Sequence, residues 1–216
     1  MDQQERSLQE IYHIKKMMER SSRFSSLSGV GAILAGIFAL AGCWLAAKKI
    51  DCWQSGDCPG QGNGISEMLN YLLLIAGLTL TAALISTFIF TYLRLKKTGS
   101  PLWSSITIRI FWNIAIPFLA GGFFLIRVLQ LGDFELVAPV CLLFYGVALV
   151  NCAKYTLNEV RYLGYAEILI GVISLWLPAY GLYFWAAGFG LFHIIYGILI
   201  WFRHERTVVN ETTISA

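Results

Sequence analysis

Two ionisable residues, Glu167 and His193, lie inside long apolar stretches of the sequence. An ionisable side chain in a membrane span costs at least about 2.5–3.5 kcal/mol on insertion scales, so each of the two needs a partner. A carboxyl group and an imidazole can both take up and release a proton, and free histidine titrates near neutral pH. The pair therefore predicts either a relay for a proton or cation, or a hydrogen-bonded network that only fixes helix packing.

The spacing of these residues about a turn predicts that they meet. Glu167 lies 13 residues before Tyr180, the middle of the turn, and His193 lies 13 residues after it. Two antiparallel helices joined at this turn bring both side chains to one depth, about 20 Å from the turn at roughly 1.5 Å per residue. Asn113 and Tyr145, in two other apolar stretches, reach similar levels. We therefore expect a buried polar layer of these four residues, with Tyr180 outside it.

The remaining candidates for chemistry are two cysteines, Cys52 and Cys58, which share a polar, glycine-rich stretch. On an oxidising face of a membrane this spacing predicts a disulfide that fixes the loop. Two cysteines with no histidine nearby fall short of a metal ligand set, so we expect neither a metal nor a cofactor. Nucleotide-binding and serine-nucleophile motifs are missing from the sequence, which leaves an enzyme open without favouring one.

The composition indicates the environment that positions these residues. The chain is 57% hydrophobic and 13% charged, with a mean hydropathy of +0.64, whereas soluble domains are typically about 25% charged. Its apolar runs are continuous and reach the roughly 20 residues that a helix needs to cross a bilayer core. We predict an all-α integral membrane protein whose main partner is the lipid bilayer. The net charge of +3 gives no support for a nucleic-acid partner.

The distribution of apolar runs predicts a bundle of six transmembrane helices with an N-terminal amphipathic helix. Residues 1–26 repeat apolar positions at spacings of three and four, which favours a helix at the membrane surface or against a protein partner. Residues 27–203 are expected to form the transmembrane domain, and 204–216 a cytoplasmic tail. The oligomeric state stays open. The expected spans are 27–47, 68–93, 105–127, 136–153, 161–177 and 182–202.

Lysine and arginine positions predict the orientation of this bundle. With the N-terminus inside, thirteen of the 16 basic residues fall on the cytoplasmic side, and Lys48, Lys49 and Arg127 fall outside. Such a bias is typical of the positive-inside rule. Both termini are therefore expected in the cytoplasm, with Cys52 and Cys58 on the opposite face.

Several segments carry a family resemblance. The stretch MMERSSRFSSLSGVGAILAG, residues 17–36, is similar to the opening of an uncharacterised family of small, six-span bacterial inner-membrane proteins. Residues 154–157, 161–167 and 188–197 resemble that family's second half. The resemblance implies a location in the bacterial inner membrane and implies no activity. In outline, the last hairpin with Pro178 and Gly190 also resembles the acid-resistance membrane protein family.

Two functions follow from these patterns. One is transport or permeation of a proton, ion or small solute through the polar layer, which predicts a water-accessible route to Glu167 and His193. The alternative is a non-catalytic membrane scaffold or sensor that acts through its N-terminal helix, which predicts a dry layer. The sequence favours the first because ionisable residues are costly to keep in a bilayer.

Overall fold

The described part of the chain is helical, and no strand occurs in it. The computed structural model describes residues 28–56, 65–98 and 104–205. Its helices are α1 (Gly29–Ser55), α2 (Ile65–Thr98), α3 (Ser105–Leu131), α4 (Val137–Cys152), α5 (Asn158–Trp176) and α6, which comprises Gly181–Trp185, Ala186–Phe192, His193–Ile200 and Trp201–Glu205. Short 3₁₀ turns at Phe134–Leu136 and Pro178–Tyr180 precede α4 and α6. The all-α prediction is confirmed for these residues.

Five of these helices are long and apolar enough to cross a membrane. They are α1, α2, α3, α4 with its preceding turn, and α6. Helix α5 overlaps the predicted span 161–177, but it is not among these five. Its 19 residues include the ionisable residues Glu159, Arg161 and Glu167. Its membrane crossing, and therefore the count of six spans, stays a prediction.

The predicted amphipathic helix over 1–26 lies outside the described residues, as does most of the predicted tail. Of the tail, only the start is described, where α6 continues to Glu205. Cys58 also lies outside them, so the predicted bridge from Cys52 stays a prediction. Among the described cysteines, Cys43, Cys141 and Cys152 are free thiols.

Helix α1 continues beyond its predicted end at residue 47. It runs to Ser55 and ends at Gly56, whose φ of 75° suits the left-handed conformation of a helix C-cap. The apolar run ends at Lys48, but the ammonium groups of Lys48 and Lys49 each contact an aromatic ring. Lys48 Nζ lies 4.0 Å from the Trp44 ring centroid, and Lys49 Nζ lies 4.9 Å from that of Tyr71 on α2. These cation–π contacts stabilise the part of the helix that follows the apolar run.

The helices pack in a definite order. Helix α1 lies between α2 and α6, α6 also contacts α4 and α5, and α3 packs on α4. Helices α2 and α3 are thus peripheral and leave many large apolar side chains exposed. Such surfaces are compatible with a lipid bilayer.

The two ends of this bundle are defined by its turns. The Gly132 end contains the turns before α4 and α6, and the Ala153 end contains the turn between α4 and α5. An apolar cluster of Cys152, Ala153, Leu157, Val160 and Ile200 fills the Ala153 end. The middle of α4, α5 and α6 lies between the two ends, and the polar residues are found there.

Glycines allow the central helices to approach closely. A Cβ built at Gly146 on α4 would lie 2.8 Å from the Gly164 carbonyl oxygen on α5, and one built at Gly164 would lie 2.9 Å from the Gly146 carbonyl oxygen. Helices α1 and α6 approach in the same way at Gly29 and Gly197. Small residues at such crossings are the usual means of tight packing in lipid. The α4–α5 crossing sets the separation of Tyr145 from Glu167, since each lies close to one of its glycines.

Candidate functional site

Three helices bring Tyr145, Glu167 and His193 together in the middle of the bundle. The residues come from α4, α5 and α6 respectively. His193 Nε2 lies 2.6 Å from the Tyr145 hydroxyl, and His193 Nδ1 lies 3.7 Å from Glu167 Oε1. Glu167 is completely buried and His193 is 8% exposed. These three residues form one closed polar site, which we call the Glu167 site.

Hydrogen bonds on both sides fix the His193 ring. Its Nδ1 lies 3.0 Å from the Gly188 carbonyl oxygen, which can only accept, so Nδ1 carries a proton. In the neutral ring Nε2 is then an acceptor, and the Tyr145 hydroxyl donates to it. The Tyr145 and His193 rings also stack with centroids 5.3 Å apart. The imidazole is therefore held in one orientation and one tautomer.

The helix that carries His193 is locally unwound before it. Residues Ala186–Phe192 are π-helical, and α-helical geometry resumes at His193. Single turns of π-helix are rare in proteins, and many of those that occur lie at functional sites. Here the accepting carbonyl of Gly188 lies five residues before the ring, at the wide part of the helix. The sequence signal for this feature was weak, namely two glycines close together in an apolar run.

The carboxyl group of Glu167 lacks hydrogen bonds. Among the described residues, neither Oε1 nor Oε2 has a hydrogen-bond partner, and the 3.7 Å to His193 Nδ1 exceeds hydrogen-bond distance. Gly188 makes room for the carboxyl, because a Cβ there would lie 2.5 Å from Glu167 Oε2. An ionised carboxylate buried without a partner costs several kcal/mol or more. Glu167 therefore either carries a proton itself or faces a protonated His193, and both arrangements hold one proton in the site.

Asn113, the fourth residue of the predicted layer, lies apart from the other three. Its Nδ2 donates to the Arg109 backbone carbonyl oxygen at 2.7 Å, and the Asn113 backbone carbonyl oxygen accepts from Asn151 Nδ2 at 3.3 Å. Asn151 follows Tyr145 by six residues on α4, which is about 9 Å along the helix axis. Asn113 thus joins α3 to α4 nearer the Ala153 end.

Two further buried hydroxyls lie on the same helices. Ser174 on α5 is completely buried, and its Oγ has no hydrogen-bond partner in the described part of the chain. The Tyr196 hydroxyl on α6, one helical turn after His193, is likewise buried and unpartnered there. Ser174 follows Glu167 by seven residues, which places both on one helix face. That spacing is the sequence signal that could have identified Ser174 as a second buried polar position, nearer the Gly132 end than Glu167.

Metal binding is not supported by the side chains that the structure describes. Within residues 28–56, 65–98 and 104–205, no three His, Cys, Asp or Glu side chains are grouped to hold an ion. The chemistry of the Glu167 site therefore rests on the proton-binding groups of Glu167, His193 and Tyr145.

Comparisons with known proteins identify no family for this chain. No protein-family model, no curated protein and no solved structure matches this chain.

Proposed function

We propose that this protein mediates transport or permeation of a proton, ion or small solute across a membrane, with Glu167 as the group that binds and releases the proton or cation. The observation that carries the proposal is the completely buried Glu167 carboxyl, which lacks a hydrogen bond among the described residues. A network that only fixes packing gains from satisfying all its members, and a partly satisfied one is costly. Unpartnered buried groups of this kind call for a role of their own.

The geometry supports a proton exchange between Glu167 and His193. For a direct transfer, the 3.7 Å between Oε1 and Nδ1 must shorten to the roughly 2.7–3.2 Å of a hydrogen bond. In a protonated ring, Nδ1–H then donates to Glu167 instead of to the Gly188 carbonyl, and the carboxylate takes that proton. The ring keeps its other proton on Nε2, from which the Tyr145 hydroxyl accepts, so the transfer changes the tautomer of His193. The transfer therefore exchanges the partner of Nδ1 between Gly188 on α6 and Glu167 on α5.

The proposed setting is the inner membrane of a bacterium, with six spans and both termini in the cytoplasm. Support comes from the excess of basic residues on one side of the predicted topology and from the family resemblance. In this orientation the Ala153 end faces the cytoplasm and the Gly132 end faces outward. The predicted disulfide between Cys52 and Cys58 would then lie on the oxidising side.

Proton flux into proteoliposomes tests the proposed function. A potassium diffusion potential drives protons inward, and an entrapped pH-sensitive dye reports them. We expect flux above that of protein-free vesicles for the wild type, and a fall to the vesicle background for Glu167→Gln. The amide keeps the shape of the side chain and removes its proton-binding group.

Glu159→Gln is the matched control for this measurement. It makes the same chemical change on α5, where Glu159 pairs with Arg203 at 3.1 Å in an exposed ion pair. Exposed pairs contribute about 0–1 kcal/mol, so this variant should keep wild-type flux. Equal flux in wild type, Glu167→Gln and empty vesicles would reject proton transport through Glu167.

The alternative is a membrane scaffold or sensor that acts through the N-terminal helix. The observation in its favour is the closed state of the Glu167 site, whose three side chains bond or pack against one another and are largely buried. In that case the polar site would only hold α4, α5 and α6 in register. Absence of flux with retained stability of the protein would favour this reading.

A further inference from the structure

Buried polar atoms without partners continue from the Glu167 site toward the Gly132 end. Ser174 lies seven residues after Glu167 on the same face of α5, about 10 Å further along the helix, and two residues before its end at Trp176. Its hydroxyl is completely buried and unpartnered among the described residues. Buried hydroxyls of this kind are normally satisfied by water. A water at Ser174 would stand between the end of the bundle and Glu167.

A buried leucine lies between the levels of the two polar groups. Leu142 on α4 is completely buried. A Cβ built at Gly171, between Ser174 and Glu167 on α5, would lie 3.1 Å from Leu142 Cβ. A Cβ built at Gly188 would lie 2.5 Å from Leu142 Cδ2 and equally close to Glu167 Oε2. The leucine side chain therefore extends from the level of Gly171 to the carboxyl group.

We propose that protons reach Glu167 from the Gly132 end along the α4–α5 contact, with Ser174 as a water-binding position and Leu142 as the apolar barrier between them. This inference rests on the proposed function and adds the direction of access. When Leu142 moves aside, water fills the roughly 10 Å between Ser174 and Glu167. A proton then passes from a hydronium ion at Ser174 along these waters to a Glu167 carboxylate oxygen, and each water on the way gains one O–H bond and loses another. One O–H bond forms on Glu167, one breaks on the hydronium ion, and a water molecule remains at Ser174.

Truncation of Leu142 should open this route. The cavity left by Leu142→Ala would be bordered by the Glu167 carboxyl, so it offers polar partners and can hold water. In the proteoliposome assay we expect proton flux to rise at least about tenfold, as a barrier lowered by about 1.4 kcal/mol gives. The rise should disappear in the double variant Leu142→Ala with Glu167→Gln. Leu142→Val makes a smaller cavity and serves if the alanine variant does not fold.

Ile200→Ala is the matched control. Ile200 is also completely buried, but it lies in the apolar cluster with Cys152, Ala153, Leu157 and Val160. A cavity there lies in this cluster at the Ala153 end, away from the proposed route between Ser174 and Glu167. Its flux should remain at the wild-type level. Equal flux in the Leu142 and Ile200 variants, or a rise that persists without Glu167, would overturn the route.

Thiol labelling tests water access without relying on flux. Ser174→Cys changes one atom, and a small charged methanethiosulfonate reagent reacts with thiols that meet water. Mass spectrometry should find Cys modified at position 174 while the resident Cys152, 3% exposed in the apolar cluster, stays unmodified. If position 174 is as unreactive as Cys152, the inference is wrong. The labelling decides this even if the wild-type protein carries no protons, in which case the proposed function fails separately.

Discussion

Gly146→Ala is expected to destabilise the protein by about 1–3 kcal/mol, the usual cost of overpacking a tight contact. The added Cβ would lie 2.8 Å from the Gly164 carbonyl oxygen and 2.9 Å from the Ile168 backbone nitrogen. Backbone atoms cannot turn away as the end of a side chain can, so α4 must move off α5. Because Tyr145 precedes this glycine, the movement also separates its hydroxyl from His193.

The control for this prediction is Gly122→Ala on α3, where a built Cβ meets nothing within 4 Å. Alanine is favoured over glycine inside a helix by about 0.5–1 kcal/mol, so this variant should be as stable as the wild type or slightly more so. Denaturant titration in mixed micelles, followed by tryptophan fluorescence, measures both. A Gly146→Ala protein as stable as Gly122→Ala would show that the α4–α5 contact is looser than the structure describes.

Gly188→Ala is expected to reduce Glu167-dependent proton flux by about a hundredfold, the effect of displacing a reacting group by about 1 Å. The new Cβ would lie 2.5 Å from Glu167 Oε2 and from Leu142 Cδ2. Both atoms end flexible side chains, so they can move at a modest cost in stability. The carboxyl group, however, loses its place beside His193, and activity should fall far more than stability.

The matched control is Gly181→Ala at the start of α6. A Cβ there would lie 3.4 Å from Ala138 Cβ, an ordinary van der Waals contact. Flux and thermal unfolding of both variants are measured in parallel. If Gly188→Ala keeps the flux of Gly181→Ala, the position of the carboxyl beside Gly188 does not matter for proton transfer.

The sequence predicted the helical class because, in lipid, an α-helix satisfies the backbone hydrogen bonds of a continuous apolar run within the run itself. The equal spacing of Glu167 and His193 from Tyr180 predicted one depth, and the structure places Oε1 and Nδ1 3.7 Å apart. This inference needed only the helical rise and a short turn. Five helices meet the length and apolarity of spans, while the sixth span, over α5, stays a prediction.

Features that are set by contacts between helices could not be predicted from the sequence in this way. Asn113 has a suitable depth along its own helix, but the packing of α3 on α4 places its backbone carbonyl against Asn151, and its side chain donates to Arg109 of α3. The last part of α1 carries a contact of Lys49 with Tyr71 of α2. The π-helical turn before His193 depends on how α6 fits against α1 and α5. Each of these features depends on neighbouring helices, and the residue pattern of one helix does not show how its neighbours pack against it.

Infrared spectroscopy of the protein in bilayers tests the central claim, that Glu167 binds and exchanges a proton inside the membrane. The account predicts a carboxylic acid C=O stretching band that changes with external pH, shifts in heavy water, and is missing from Glu167→Gln. Glu159→Gln should leave that band unchanged. If the wild type and Glu167→Gln give the same carboxyl spectrum at every pH, Glu167 exchanges no proton, and the proposed function is wrong.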